Sequence, residues 1–149
     1  MKKTEKSAGA YLRNGKIYLH PDSQTIKGFW IACEPIIVTG EDDKKLGAHV
    51  LQALAKSTQN IPDPASLATS DSWDVIKALV KAGGVRSYEV FAESAKCVGI
   101  LLDDKEVVFT PTLNGGYRRR FLDLKTKIRC QPIEAEVAAS LLAAFEACE

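Results

Sequence analysis

Ala8-Gly9-Ala10-Tyr11-Leu12-Arg13-Asn14-Gly15-Lys16-Ile17-Tyr18-Leu19-His20 holds two short apolar-rich runs, 8–12 and 16–20, on either side of Asn14-Gly15. Asn-Gly supplies the left-handed pair that a tight hairpin turn requires, so the stretch reads as a β-hairpin. Two more candidate strands follow, 28–33 and, after Pro35, 36–39. Gly40-Glu41-Asp42-Asp43 then reads as a turn and an acidic helix entrance, because carboxylates favour the positive end of the helix dipole. Leu46, Val50, Leu51 and Leu54 recur at helical spacing and predict a helix over 43–57.

The same order of elements returns 90 or 91 positions later. Gly9 matches Gly99, Leu12 matches Leu102, Ile17 and Tyr18 match Val107 and Val108, and Pro21 matches Pro111. With one extra residue, Trp30 matches Phe121, Ile37 matches Ile128, and Leu46, Val50, Ala53 and Leu54 match Val137, Leu141, Ala144 and Phe145. Strands are expected over 97–102 and 106–111 around Asp103-Asp104-Lys105, a turn at Asn114-Gly115-Gly116, a strand over 120–128 and a helix over 134–148. The predicted fold is therefore α+β: duplicated ββ(β)α units, about 8–57 and 96–148, forming an antiparallel sheet of roughly six strands covered by helices.

Residues 58–95 form an insertion between the copies. Its first part, 58–72, is rich in Ser, Thr, Pro and Asp and reads as a surface loop. Asp71 is placed to cap a helix with Trp73, Ile76, Leu79 and Val80 on one face, ended by left-handed glycine at Gly83-Gly84. Ser87 is placed to cap another over 88–95, with Tyr88, Phe91 and Ala95 on one side. The two helices are expected to shield an edge of the sheet.

At 149 residues the chain fits one domain, 1–149, and is too short for two ordinary ones. Net charge is +1, so no overall basic excess marks it for nucleic acid. No apolar run approaches the roughly 20 residues that cross a bilayer. The basic start, Met1 to Lys6, leads into no apolar region and does not read as a secretory signal, so a cytoplasmic protein with no membrane partner is expected.

Catalytic chemistry finds little footing. Cys33, Cys97, Cys130 and Cys148 include no C-x-x-C pair, so neither a metal nor any other cofactor is expected, and reduced, buried thiols are the expectation. His20 lies at a strand end and His49 on the first helix, neither with a metal-ligand spacing. No nucleophile elbow, P-loop or dinucleotide fingerprint occurs. Tyr117-Arg118-Arg119-Arg120 offers a basic cluster beside an aromatic, a weak nucleic-acid signature that also suits a solvated strand entrance. Trp30 and Trp73 have apolar neighbours and are expected in the core.

Charge is uneven along the chain: residues 1–33 carry +4 and residues 34–74 carry −4. Glu41, Asp42 and Asp43, with Asp63, Asp71 and Asp74, make an acidic middle that could meet a basic protein partner, although helix capping and solubility are the simpler account of any one of them. Asp103 and Asp104 stand in the same position.

Lys16-Ile17-Tyr18-Leu19-His20-Pro21, Gly28-Phe29-Trp30-Ile31, the helix 46–54, Ala82-Gly83-Gly84-Val85-Arg86-Ser87-Tyr88 and Ala95-Lys96-Cys97-Val98 together resemble the CdiI-type immunity proteins of bacterial contact-dependent growth inhibition systems, over about 11–145. The resemblance implies a cytoplasmic protein without catalytic residues that binds and blocks the toxic C-terminal domain (CdiA-CT type) of a cognate effector, often a nuclease. It carries over no contact residues. Glu41, Asp42, Asp43, Asp103 and Asp104 are the candidates for gripping such a toxin. The rivals are a nucleic-acid-binding module at 117–120 and an enzyme using His20, His49 or a cysteine.

Overall fold

The computed structural model describes residues 5–62, 71–116 and 120–149, the side chains of 71–73 excepted. β1 (Glu5–Arg13) and β2 (Lys16–Gln24) form the expected hairpin, with Arg13 opposite Lys16. Asn14 and Gly15 both take positive φ, 52° and 77°, as a right-twisted two-residue turn demands. β3 (Trp30–Ala32), β4 (Ile37–Gly40) and α1 (Leu46–Ala55) complete the first copy. After α2 (Asp71–Gly83) and α3 (Tyr88–Glu93) come β5 (Lys96–Asp103), β6 (Glu106–Leu113), β7 (Leu122–Asp123), β8 (Ile128–Cys130) and α4 (Glu134–Ala147). The strands lie antiparallel in the order β3-β2-β1-β5-β6-β7, with β4 also on β2 and β8 also on β6. Among the described residues eight strands thus occupy six positions, and the α+β fold with duplicated units and a helical insertion is the one expected.

The two copies meet along β1 and β5, where Gly9 faces Gly99. These residues are also counterparts at the 90-residue displacement, so the approximate two-fold axis relating the copies passes between them. Ala8, Ala10, Ile17, Leu19, Val98, Ile100, Val107 and Phe109 turn to one face of the sheet, where α1 and α4 cover them with Leu46, Val50, Ala53 and Leu54 and with their counterparts Val137, Leu141, Ala144 and Phe145. Every residue of that set is buried, which is why the repeat is visible in sequence at all. Gly47 lets the helices approach: a Cβ there would stand 2.0 Å from the carbonyl oxygen of Glu134.

The strand expected over 120–128 is broken in two. Between Asp123, opposite Thr112, and Ile128, opposite Phe109, the outer chain advances five residues while β6 advances three. The first copy does the same: from Ala32, opposite Asp22, to Ile37, opposite Leu19, the outer chain advances five against three. Proline is the common cause. The carbonyls of Pro21 and Pro111 accept from Cys33 N (2.8 Å) and Leu124 N (2.9 Å), so both residues turn their backbone polar side outward where they have no N–H to give. A ladder that lacks a donor bulges. Phe121 adds a second break, at φ 57°.

Other boundaries also moved. α1 begins at Leu46, three residues after the acidic entrance, because Asp43 spends its carboxylate on the preceding turn. Ser87 caps α3 as expected, accepting from Val90 N at 3.3 Å, but α3 ends at Glu93. Gly84 carries the left-handed stop of α2 at φ 65°. The buried stripe of α2 is Val75 and Leu79, with Ile76 and Val80 only half-buried. Trp30 is half-buried at β3 rather than in the core, and the side chains of Asp71 and Trp73, like all of Asp63, lie outside the described residues.

α2 packs on β3, the outermost strand, as the expectation of a shielded edge has it, but α2 and α3 cover more than that strand. They lie on the second face of the sheet, where Val75, Leu79, Phe91 and Ala95 enclose Tyr18, with Tyr11, Ala32, Ile36 and Phe121 packed around them. Tyr18 and Tyr11 alternate with residues that face α1 and α4, and one helical hairpin gives both aromatics a dry partner.

Candidate functional site

The five predicted carboxylates do not converge. Glu41 follows β4 and its N–H reaches Gly15 O (3.4 Å) in the first hairpin turn, at the end of the sheet where Leu12 faces Lys96. Asp103 and Asp104 sit at the β5–β6 turn, at the end where Asp103 faces Glu5. The run of β5 between these ends is roughly 23 Å, at about 3.3 Å per residue.

At the first end, Glu41 and Asp42 are exposed and border a hollow of about 240 Å³ with Leu12, Lys96, Leu142, Phe145 and Glu146. Glu146 is a third acid there that sequence reasoning missed; its signal was its place next to Phe145 on α4, one turn beyond Leu142. Asp43 belongs to the fold. Its carboxylate accepts from Thr39 Oγ1 (2.5 Å) and Lys45 N (2.8 Å) and pairs with His49 Nε2 at 3.4 Å. The Thr39 hydroxyl above all, then Lys45 N–H and His49, hold its pKa below the usual carboxylate value. That tie also accounts for His49.

His20 is buried, its ring lying across Gly9, with Nδ1 3.1 Å from Asp22 Oδ1 and 3.3 Å from Pro21 O. Ser7 Oγ donates to Asp22 Oδ2 at 2.9 Å. Serine, histidine and aspartate are therefore adjacent, yet the hydroxyl is bonded to the carboxylate rather than to the imidazole, the reverse of what activates a serine. The four cysteines form no disulfide and are half-buried rather than fully buried. Burial pushes the thiols of Cys97 and Cys148 up, away from the reactive thiolate. Among the described residues no three His, Cys, Asp or Glu side chains gather as a metal site.

Of the basic cluster, residues 117–119 lie outside the described residues. Arg120 is spent inside the fold: it pairs with Glu89 (2.8 Å) and donates to Asn114 Oδ1 (2.8 Å). Asn114 in turn donates to Ala92 O and Ala95 O, tying this loop to α3. Beside it Tyr11 makes edge contacts with Phe91 and Phe121 and shares a 3.0 Å hydroxyl bond with Tyr88, and burial raises the Tyr11 pKa. Arg13 lies over Phe91 at 5.7 Å and donates to Ser94 Oγ. This cluster fastens the helical insertion to the sheet.

No helix among the described residues is long and apolar enough to cross a membrane. No protein-family model matches the chain, and no curated protein matches it. Two solved structures are similar over their full length. A protein of unknown function from Neisseria meningitidis superposes with a TM-score of 0.83 at 17% identity, over 100% of this chain and 98% of its own. A chain of the CdiA-CT/CdiI toxin and immunity complex from Yersinia pseudotuberculosis superposes at 0.79 and 14% identity, over 99% of this chain and 100% of its own. At these identities the likeness is one of fold, and it is to a fold found in a toxin and immunity complex.

Proposed function

We propose that the chain is a cytoplasmic immunity protein that binds the C-terminal toxin domain of a contact-dependent growth inhibition effector, one to one, and neutralises it without bond-making. The observation that carries this reading is the end-to-end superposition on a chain of a toxin and immunity complex, 99% and 100% of the two lengths. The sequence resemblance over 11–145 points the same way. A nuclease is the toxin class best suited to the acidic ends, because carboxylates can stand where phosphates would on its lysines and arginines.

On this reading the contacts at the first end are Glu41 and Asp42 with Glu146, and at the other Asp103 and Asp104, while Asp43 supports the turn that presents them. Neutralising Glu41, Asp42, Asp103 and Asp104 together is expected to weaken toxin binding roughly tenfold or more and to flatten its salt dependence, as loss of rim charges does. Unchanged affinity and unchanged protection would remove those residues from the interface. The reading itself is tested in cells. A cognate toxin domain, sought as the last domain of a large secreted protein encoded by a neighbouring gene, is expressed with and without this chain, and rescue from toxicity is the expected result. Toxicity undiminished by ample folded chain would contradict it.

A further inference from the structure

The apolar stripe of α2 is wider than the sheet beneath it can use. Val75 and Leu79 are buried, but Ile76 and Val80 stay half-exposed and, with Tyr88, line a trough of about 520 Å³ between α2 and the start of α3. Lys81 and Arg86 stand along it, both exposed, and among the described residues that line it the carboxylate is Glu89. Glu89 is already paired with Arg120, so the trough's net field is positive. It continues past Arg86 and Ser87 into a second hollow of about 560 Å³ that reaches Glu93 and Gly116.

The walls are set before anything binds. Val85 N–H donates to Val80 O across the α2–α3 junction, Ser87 caps α3, and Arg13 fastens the junction from below through Gly83 O and Ser94 Oγ. A preformed apolar floor with cations on its rim loses little entropy on binding, and it selects an occupant that is apolar where it seats and anionic where it leaves.

We propose that this trough is a docking surface for the toxin domain, taking a segment that seats a large apolar side chain on Ile76, Val80 and Tyr88 and sets carboxylates against Lys81 and Arg86. The inference rests on the immunity reading and deepens it. An acidic patch at Glu41 and Asp42 and a basic trough on the insertion would admit a partner in one orientation only, since the reversed pose places like charges together.

The test uses the full chain and the purified toxin domain of the rescue assay, with binding followed by titration calorimetry. Lys81→Glu with Arg86→Glu is expected to weaken binding roughly tenfold or more, and Lys81→Gln with Arg86→Gln by less, with the gap between them narrowing at high salt. Val80→Asp is expected to weaken it similarly. Both charged positions are exposed, so circular dichroism and Tm should match the wild type. If the wild type binds and these variants bind within about twofold of it, the trough is not the docking surface and the immunity reading stands. If the wild type neither binds nor protects, the immunity reading falls and takes the trough with it.

Discussion

Gly9 and Gly99 are counterparts in sequence and neighbours in space, yet a methyl group would meet opposite surroundings at the two. At Gly9 a Cβ would lie 2.4 Å from His20 Nε2, whereas at Gly99 the nearest atom is Thr110 Cβ at 4.0 Å. Gly9→Ala is therefore expected to destabilise the fold by about 1–3 kcal/mol, as overpacking does, while Gly99→Ala should be neutral or slightly stabilising. Urea unfolding of both variants checks this, and equal effects would mean the His20 ring does not cover Gly9. Asp43 gives a second residue-scale test. Its folded pKa lies below its unfolded value, so its contribution to stability is present above about pH 4 and is lost as the pH falls through the lower folded value. Asp43→Asn should lower Tm near neutrality, by an amount that shrinks on acidification below that point. A Tm difference independent of pH would refute the assignment. The sequence marked Asp43 as acidic and well placed for a cap; that Thr39, four residues earlier, would claim it was not legible, because an acid ahead of a helix reads first as its cap.

At the scale of elements, what was legible is what local chemistry decides. Asn14-Gly15 dictates the first hairpin, Ser87 the start of α3, Gly84 the end of α2, and the shared apolar spacing of 46–54 and 137–145 the paired helices. The broken outer strands were hidden because their cause lies on the neighbouring strand, in the missing N–H groups of Pro21 and Pro111. The placement of α2 and α3 was hidden for a similar reason: alternation in β1 and β2 shows two apolar faces, but not which helices cover the second. Phe91 is the pin of that packing, fully buried between Tyr11 and Tyr18 with ring centroids 5.5 and 5.0 Å away. Phe91→Ala should cost about 3–5 kcal/mol. Amide exchange in α2 and α3 should accelerate more than in the β1–β2 hairpin, whose opposite face is held independently by α1 and α4. Uniform acceleration through the chain would mean that the insertion and the sheet open as one unit.

For the whole molecule, the duplicated fold sets how far apart charges stand. The two acidic groups of the sequence, Glu41 to Asp43 and Asp103 to Asp104, are sent to opposite ends of the β1–β5 pair, a separation that only the antiparallel register reveals. Glu146, carried by α4, lines the same hollow as Glu41 and Asp42. A chain built this way presents charge at its ends and an apolar trough on its insertion, the surfaces that the proposed function uses. The proposed function is stoichiometric neutralisation, and its most direct measurement is a titration of the toxin domain's activity against purified chain. Activity should fall linearly to zero at one chain per toxin and stay constant in time at every lower ratio. Activity that survives a large excess of chain, or that is abolished progressively by catalytic traces of it, would contradict the account.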